Sequence, residues 1–210
     1  MQAVLLIGAG ALARDIVDGF GADAFVAAYV DPEFATASLA GVPVVTDWQE
    51  ARRRASHYVL ATADVAYRQR ARAMARAASL PPAPAMVSSL ARVAGDACLG
   101  AGCLIGHFAV IGPAARLGED TLVMHSALVA HDASVGEGSV ICAGACVNGN
   151  VHIGPRCFIG PNAVLMPKIE FGHDCLIAAG AACFRGAPAL SSLIGNPARR
   201  AGLSAGRLPD

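Results

Sequence analysis

The chain has 210 residues, 55% of them hydrophobic, with 16 basic and 16 acidic side chains and a formal net charge of zero. That length allows one large domain or two small ones, and the charge balance offers no basic surface for nucleic acid or an anionic membrane. No stretch supplies the roughly 18 consecutive apolar residues of a membrane span, so a cytoplasmic protein without a membrane span is expected.

The N-terminal text alternates strand-like and helix-like segments. AVLLIG, Ala3 to Gly8, reads as a buried strand, and a helix is expected from the following glycines to about Phe20. AFVAAYV (Ala24 to Val30) and VPVV (Val42 to Val45) read as the next strands, followed by helix-forming text at Trp48 to Arg54. HYVLA (His57 to Ala61) is another strand, and Val65 to Ala78 is a helix by propensity. This order predicts a small Rossmann-like parallel α/β layer over residues 1–80. The loop Gly8-Ala9-Gly10-Ala11-Leu12, with Asp31 about twenty residues on, fits both a tight strand-to-helix turn and a phosphate site at a helix N-terminus. SLPPAP, Ser79 to Pro84, begins a stiff connector that spans residues 81–90.

From Val93 the period becomes six. Aliphatic or aromatic residues fall on every sixth position from Val93 through Val129 to Ile177, fifteen hexads without a slip. The position two before is mostly small (Ala91, Cys103, Ala127), and the position after is often Gly (Gly100, Gly112, Gly136). A helix cannot use this period. A short strand plus a tight turn can, with the aliphatic residue inside, the small one at an inward corner and the glycine taken as supplying the turn dihedrals. Three hexads close one triangular coil of eighteen residues, so a stacked parallel all-β helix is expected over residues 91–195, with a tail at 196–210. The seven cysteines are odd in number and contain no C-x-x-C, and Cys103, Cys157 and Cys175 fall on the small-residue position. They read as buried structural thiols in a reducing compartment.

The position two after the aliphatic residue is expected at an outward corner. His107, His125, His131 and His173 occupy it. Residues eighteen apart stack, so Gly149 lies over His131. An imidazole there is placed to take a proton from an attacking amine or hydroxyl, with Asp132 steadying its other nitrogen. A backbone N–H near Gly149 is placed to receive a developing oxyanion. Such a set supports direct acyl transfer from a thioester. The same His131 also reads as a solvated corner residue. A lone corner histidine gains most at a seam between subunits, and a cyclic trimer supplies three equivalent seams.

GAGALARDIV, VLATAD, the hexads, VAHDASVGEGS and IGNPAR occur in that order. The sequence resembles the sialic acid O-acetyltransferase and PglD-like group of hexapeptide-repeat sugar acetyltransferases. The resemblance implies a left-handed β-helix, a homotrimer, acetyl-CoA as co-substrate with no metal, and a sugar or nucleotide-sugar acceptor. It makes His131 the general base and Asp132 its acidic partner. It places the cofactor against Gly149, Pro161, Ala179 and Asn196, and the nucleotide sugar at Gly8, Gly10, Ala11, Leu12 and Asp31. Two positions depart from the family pattern. Leu12 stands where the glycine-rich motif ends in histidine, and Val140 stands where a second histidine follows the first by nine residues. Two other readings share the β-helix: a metal hydratase of the γ-carbonic-anhydrase type using His107, His125 and His131, and a non-catalytic trimeric scaffold that binds sugar nucleotides.

Overall fold

The computed structural model describes residues 3–34 and 39–201. The chain divides into two compact units, Met1–Pro84 and Ala85–Asp210.

In the first unit, β1 (Val4–Ile7), β2 (Phe25–Tyr29), β3 (Val44–Val45) and β4 (His57–Leu60) form a parallel sheet in the order β3-β2-β1-β4. Three helices connect or follow these strands: α1 (Ala11–Phe20), α2 (Trp48–Arg54) and α3 (Val65–Ala77). Asp47 and Asp64 cap α2 and α3 by accepting from the backbone N–H three residues on, Glu50 and Tyr67, each at 2.8 Å. Leu5, Ile7, Ala27, Tyr58 and Leu60 build the core between sheet and helices. The chain winds outward from β1 to β2 and β3 and then returns to the other side of β1. The strand order therefore reverses between β1 and β4, which is where open α/β sheets hold ligands.

The second unit is a triangular coil of two-residue strands in three parallel sheets. One face contains Leu122–Val123 and Val140–Ile141, a second Leu128–Val129 and Cys146–Val147, and the third Ser134–Val135 and His152–Ile153. Partners are eighteen residues apart, as in Val129↔Val147↔Leu165. Strand alternation sends one residue of each pair inward. Ile105, Ile111, Val129, Val147 and Leu165 form the dry interior, with Ala109, Ala127 and Ala145 at the inward corners. One interior corner carries polar side chains. Cys103, Ser139, Cys157 and Cys175 donate to carbonyls of a neighbouring coil at 3.2–3.3 Å, which satisfies their buried polar atoms. All seven cysteines are free.

Three details differ from the sequence reading. The coil starts earlier, because Met86–Val87 already pairs with Leu104–Ile105. Residues 86–90 are therefore part of the stack rather than connector. At the other end Ser192–Ile194 continues the first face and pairs antiparallel with Arg199–Ala201. The described part of the tail is thus a hairpin strand, and residues 202–210 of that expected tail lie outside the described residues. The glycines after each aliphatic residue do not supply the turn dihedrals. A Cβ on Gly136 would lie 2.3 Å from Pro155 N, and one on Gly112 2.7 Å from His131 N. They allow successive coils to approach. The left-handed dihedral falls two residues later, on Phe108, Ala114, Ser126, Asp132, Asn150, Lys168 and Asp174 (φ 54–63°).

Candidate active site

His131 sits at the edge between the second and third faces, two residues after Val129. The next residue, Asp132, has φ 57°. Aspartate tolerates this region better than most residues. The turn is held because Asp132 N–H donates to Pro113 O of the coil below at 3.0 Å. The sharp bend turns both side chains outward together, and His131 Nδ1 meets Asp132 Oδ2 at 2.8 Å. Because the carboxylate can only accept, Nδ1 carries the proton and Nε2 presents its lone pair. Both side chains are more than half exposed, at 60% and 54%.

The ring lies over the coil above. A Cβ on Gly149 would stand 2.5 Å from His131 Nε2, so only glycine leaves room for the imidazole. Asn150 N–H to His131 O, 3.0 Å, ties these two coils, and Lys168 N–H to Gly149 O, 3.1 Å, ties the Gly149 coil to the one above it. Gly149 N–H donates to no group among the described residues. Prolines hold the same turn position at Pro113, Pro155, Pro161 and Pro167, because the turn does not use that N–H. Asn148 stands where most coils carry glycine or alanine. Its Nδ2 donates to Leu165 O at 2.8 Å, and Cys146 Sγ donates to its Oδ1 at 3.6 Å. Burial raises the Cys146 thiol, against the lowering effect of Asn148, and Cys142 is pushed up to about 12 by burial. Thiols held protonated are poor nucleophiles.

Pro161, Ala179 and Asn196 gather on a different edge, between the first and second faces. Pro161 and Ala179 each stand two residues after an interior isoleucine, and Gly180 N–H donates to Pro161 O at 2.8 Å. Leu193 pairs with Ile177, which sets Gly195 and Asn196 above Ala179 and Gly180. The Asn196-Pro197 peptide is cis. Within one chain, then, the dyad with Gly149 and the other three positions flank the second face without meeting. His107 and His125 stack at 5.5 Å lower on the Pro161 edge, and Ser88 Oγ is 2.7 Å from His107 Nδ1. His131 stands on the other edge, so the three histidines of the hydratase reading do not converge within the chain. Among the described residues no group of three or more His, Cys, Asp or Glu side chains has metal-holding geometry. Val140 is fully buried on the first face between Leu122 and Phe158 in register. A histidine there would be enclosed by apolar neighbours.

In the first unit, Gly8, Gly10, Ala11 and Leu12 follow β1 and Asp31 follows β2, so they lie beyond the carboxyl ends of two neighbouring parallel strands. Gly8 is required by the fold itself, with φ 123° and Ala61 O 2.7 Å from a built Cβ. Gly10 is different. It begins α1 without a side-chain cap and has nothing within 4 Å of a built Cβ. Asp31 accepts from Tyr29 Oη at 2.9 Å, and Tyr67 also hydrogen-bonds to it. Burial, then Asp31, pushes both phenols up to about 12. Trp48 packs edge-on to Tyr29 at 5.2 Å, and Arg70 lies 5.3 Å over the Tyr67 ring. Sequence reasoning missed these aromatics. The signal available was a tyrosine two residues before Asp31 and another in the first turn of α3.

A second histidine–aspartate pair also escaped it. His173 Nδ1 lies 2.7 Å from Asp174 Oδ2 at the edge between the third and first faces. That carboxylate is committed to Arg156 through two bonds of 2.8 and 2.6 Å. Among the described residues Asp132 has His131 as its only side-chain partner.

Comparison with protein-family models and with curated proteins gives no match. Solved structures do match. Perosamine N-acetyltransferase from Caulobacter crescentus, in complex with CoA and GDP-perosamine and with one histidine replaced by asparagine, superposes with a TM-score of 0.87 at 26% identity, covering 96% of this chain and 98% of that one. The chain is an acyltransferase with the fold of solved sugar N-acetyltransferases. Two further structures share the fold of this left-handed β-helix enzyme. The acetyltransferase domain of PglB from Neisseria gonorrhoeae, in complex with acetyl coenzyme A, gives a TM-score of 0.85 at 22% identity over 95% and 99% of the two chains. WeeI from Acinetobacter baumannii gives 0.82 at 23% over 96% and 100%.

Proposed function

We propose that this acyltransferase moves an acetyl group from acetyl-CoA directly to an amino or hydroxyl group of a nucleotide-linked sugar, with His131 as general base. The observation that carries the reading is the exposed His131–Asp132 dyad with Nε2 over Gly149, on a fold whose relative holds CoA and GDP-perosamine. Nε2 takes the proton of the acceptor N–H or O–H as that atom bonds to the thioester carbonyl carbon. Asp132 stabilises the imidazolium, and Gly149 N–H is the donor we assign to the oxyanion. Collapse breaks the C–S bond, and the imidazolium returns the proton to the departing CoA thiolate. No enzyme thiol takes part, in keeping with the raised Cys142 and Cys146.

The same proposal assigns the nucleotide to the first unit. Gly10 and the uncapped start of α1 receive the diphosphate, Ala11 and Leu12 line it, and Asp31 with its two tyrosines faces the nucleoside. Gly149, Pro161, Ala179 and Asn196 receive the cofactor. These four lie on two edges of one stack of coils, so a cofactor that touches all of them bridges two copies. We therefore propose a cytoplasmic homotrimer with three equivalent seams. His131→Ala should lower kcat by about 100-fold or more with the cognate nucleotide sugar, with acetyl-CoA binding retained in calorimetry. An unchanged rate removes the base role. Wild type that binds nucleotide sugar but no acetyl-CoA would favour the scaffold reading.

A further inference from the structure

The polar interior corner of the coil holds two thiols in succession. Between the third and first faces the inward position reads Cys103, Thr121, Ser139, Cys157 and Cys175. Ser191 follows after a step of 16 residues, because the turn at Arg185 is shortened and Phe171 bridges to Ala187. Cys157 and Cys175 are the only two cysteines eighteen residues apart in the chain. One coil rise is about 4.8 Å, inside the Cα separation of roughly 4.4–6.8 Å that a disulfide spans. Cys175 N–H donates to Cys157 Sγ at 3.4 Å, as Cys157 N–H donates to Ser139 Oγ at 3.0 Å one coil below. The two thiols also hydrogen-bond each other.

The pair is chemically uneven. Burial pushes Cys142 up to about 12 and Cys183 to about 11. Cys157 also moves up, through its hydrogen bond to Cys175 and then burial. Cys175 is lowered to about 6, first by the hydrogen bond from Cys157, against burial, and then by Ser191 N–H and attraction to His173. The thiolate is the nucleophilic form, which makes Cys175 the attacking sulfur and Cys157 the resolving one. Both are buried. Burial favours a small neutral oxidant over bulky thiols and disulfides, whose exchange needs direct access to sulfur.

We propose that Cys175 is a modification site for small hydroperoxides and that it closes a disulfide with Cys157. The Cys175 sulfur bonds to one peroxide oxygen as the O–O bond breaks. The departing hydroxide takes the proton that Cys175 gave up, leaving a sulfenic acid and one water. The Cys157 sulfur then bonds to the Cys175 sulfur as the S–O bond breaks, and that hydroxide leaves with the Cys157 proton as a second water. Both sulfurs are oxidised and the peroxide is reduced. The new bond fastens the Ile159 coil to the Ile177 coil, on a different edge from His131, so it stands apart from acyl transfer.

The test treats the reduced, folded Cys98→Ser protein with hydrogen peroxide, which removes the exposed thiol from the reading. Intact mass should fall by about 2 Da. Under non-reducing conditions, tryptic peptide 157–168 should appear joined to 169–185, with fragmentation placing the link on Cys175 rather than Cys183. In Cys157→Ser, where the hydroxyl repeats the Ser139 pattern, dimedone should trap a sulfenic acid on Cys175. In Cys175→Ser, Cys157 should take up no dimedone. Folded protein that keeps both thiols, while urea-unfolded protein links them, means that burial bars even peroxide and overturns the proposal. A link through Cys183, or labelling of Cys157 in Cys175→Ser, overturns it as well.

Discussion

Asp132 occupies a position with a structural requirement of its own. Every coil places a residue with positive φ three positions after its aliphatic, and the chain fills it with Phe108, Ala114, Ser126, Asn150 and Lys168 as well as with aspartate. The carboxylate becomes useful because the same bend sets it beside the preceding imidazole. His173–Asp174 has this local geometry too, yet its aspartate is held by Arg156. What distinguishes His131 is the coil above it. The three nearest neighbours of a Cβ at Gly149 would all be His131 ring atoms, at 2.5–3.2 Å, whereas those at Gly136 would be backbone atoms of the next coil. Gly149→Ala should therefore leave Tm nearly unchanged, swing the imidazole aside, and lower kcat by about tenfold to 100-fold. Gly136→Ala should instead cost more than about 2 kcal/mol of stability in denaturant unfolding, with little change in kcat for the folded fraction. Equal effects from the two substitutions would contradict this division of labour. Sequence could place Gly149 over His131 by counting eighteen. It could not show that most glycines in the coil exist for backbone approach, because that depends on the inter-coil contact distance.

At the scale of elements, the hexad rows were legible because strand, corner and interior repeat on a fixed count, and fifteen interior positions leave no alternative period. The ends were less so. Val87 falls on the same count, but three prolines just before it, Pro81, Pro82 and Pro84, gave the text the look of a linker. The shortened turn at Arg185 depends on a backbone bridge, Phe171 to Ala187, that no composition signal marks. The His173 edge shows how a charged turn can serve the coil alone. Arg156 donates twice to Asp174, which holds that carboxyl below the usual carboxylate range, opposed by burial and aided by His173. A depressed folded pKa means the pair stabilises above the unfolded value of about 3.9 and loses that contribution as pH falls through the lower folded value. Arg156→Ala should cost about 1 kcal/mol at pH 7. In thermal melts taken from pH 7 downward, the gap between variant and wild type should close below about pH 4. A gap that stays constant to pH 2.5 would mean the pair contributes through packing, and at pH 7 Arg156→Ala should leave kcat at the wild-type value.

At the scale of the whole molecule, the three faces of the coil are chemically unlike. The third face turns Arg116, Ser134, His152 and Glu170 outward, as a solvated sheet does. The second turns Val110, Leu128, Cys146 and Val164 outward, with Val110 and Val164 exposed at 38% and 36%. An apolar stripe of this kind along a stacked sheet is a surface for another protein chain. The two edges that flank it are the His131 edge and the Pro161–Ala179 edge. In the trimer proposed above, a copy packed against this face would bring its own Pro161–Ala179 edge beside the first copy's His131, the juxtaposition a single chain lacks. Assembly and activity should then fail together. Val110→Glu combined with Val164→Glu puts two carboxylates on the stripe without touching the dyad, Gly149 or the dry interior, and burial at an interface would require both to be desolvated. In sedimentation equilibrium the wild type should be a trimer and the double variant a monomer. The variant's rate should fall by about 100-fold or more, while far-UV circular dichroism stays that of the folded coil. Ser134→Glu on the third face should leave both assembly and rate unchanged. A double variant that remains trimeric and active would move the seam to another face and detach His131 from the cofactor edge.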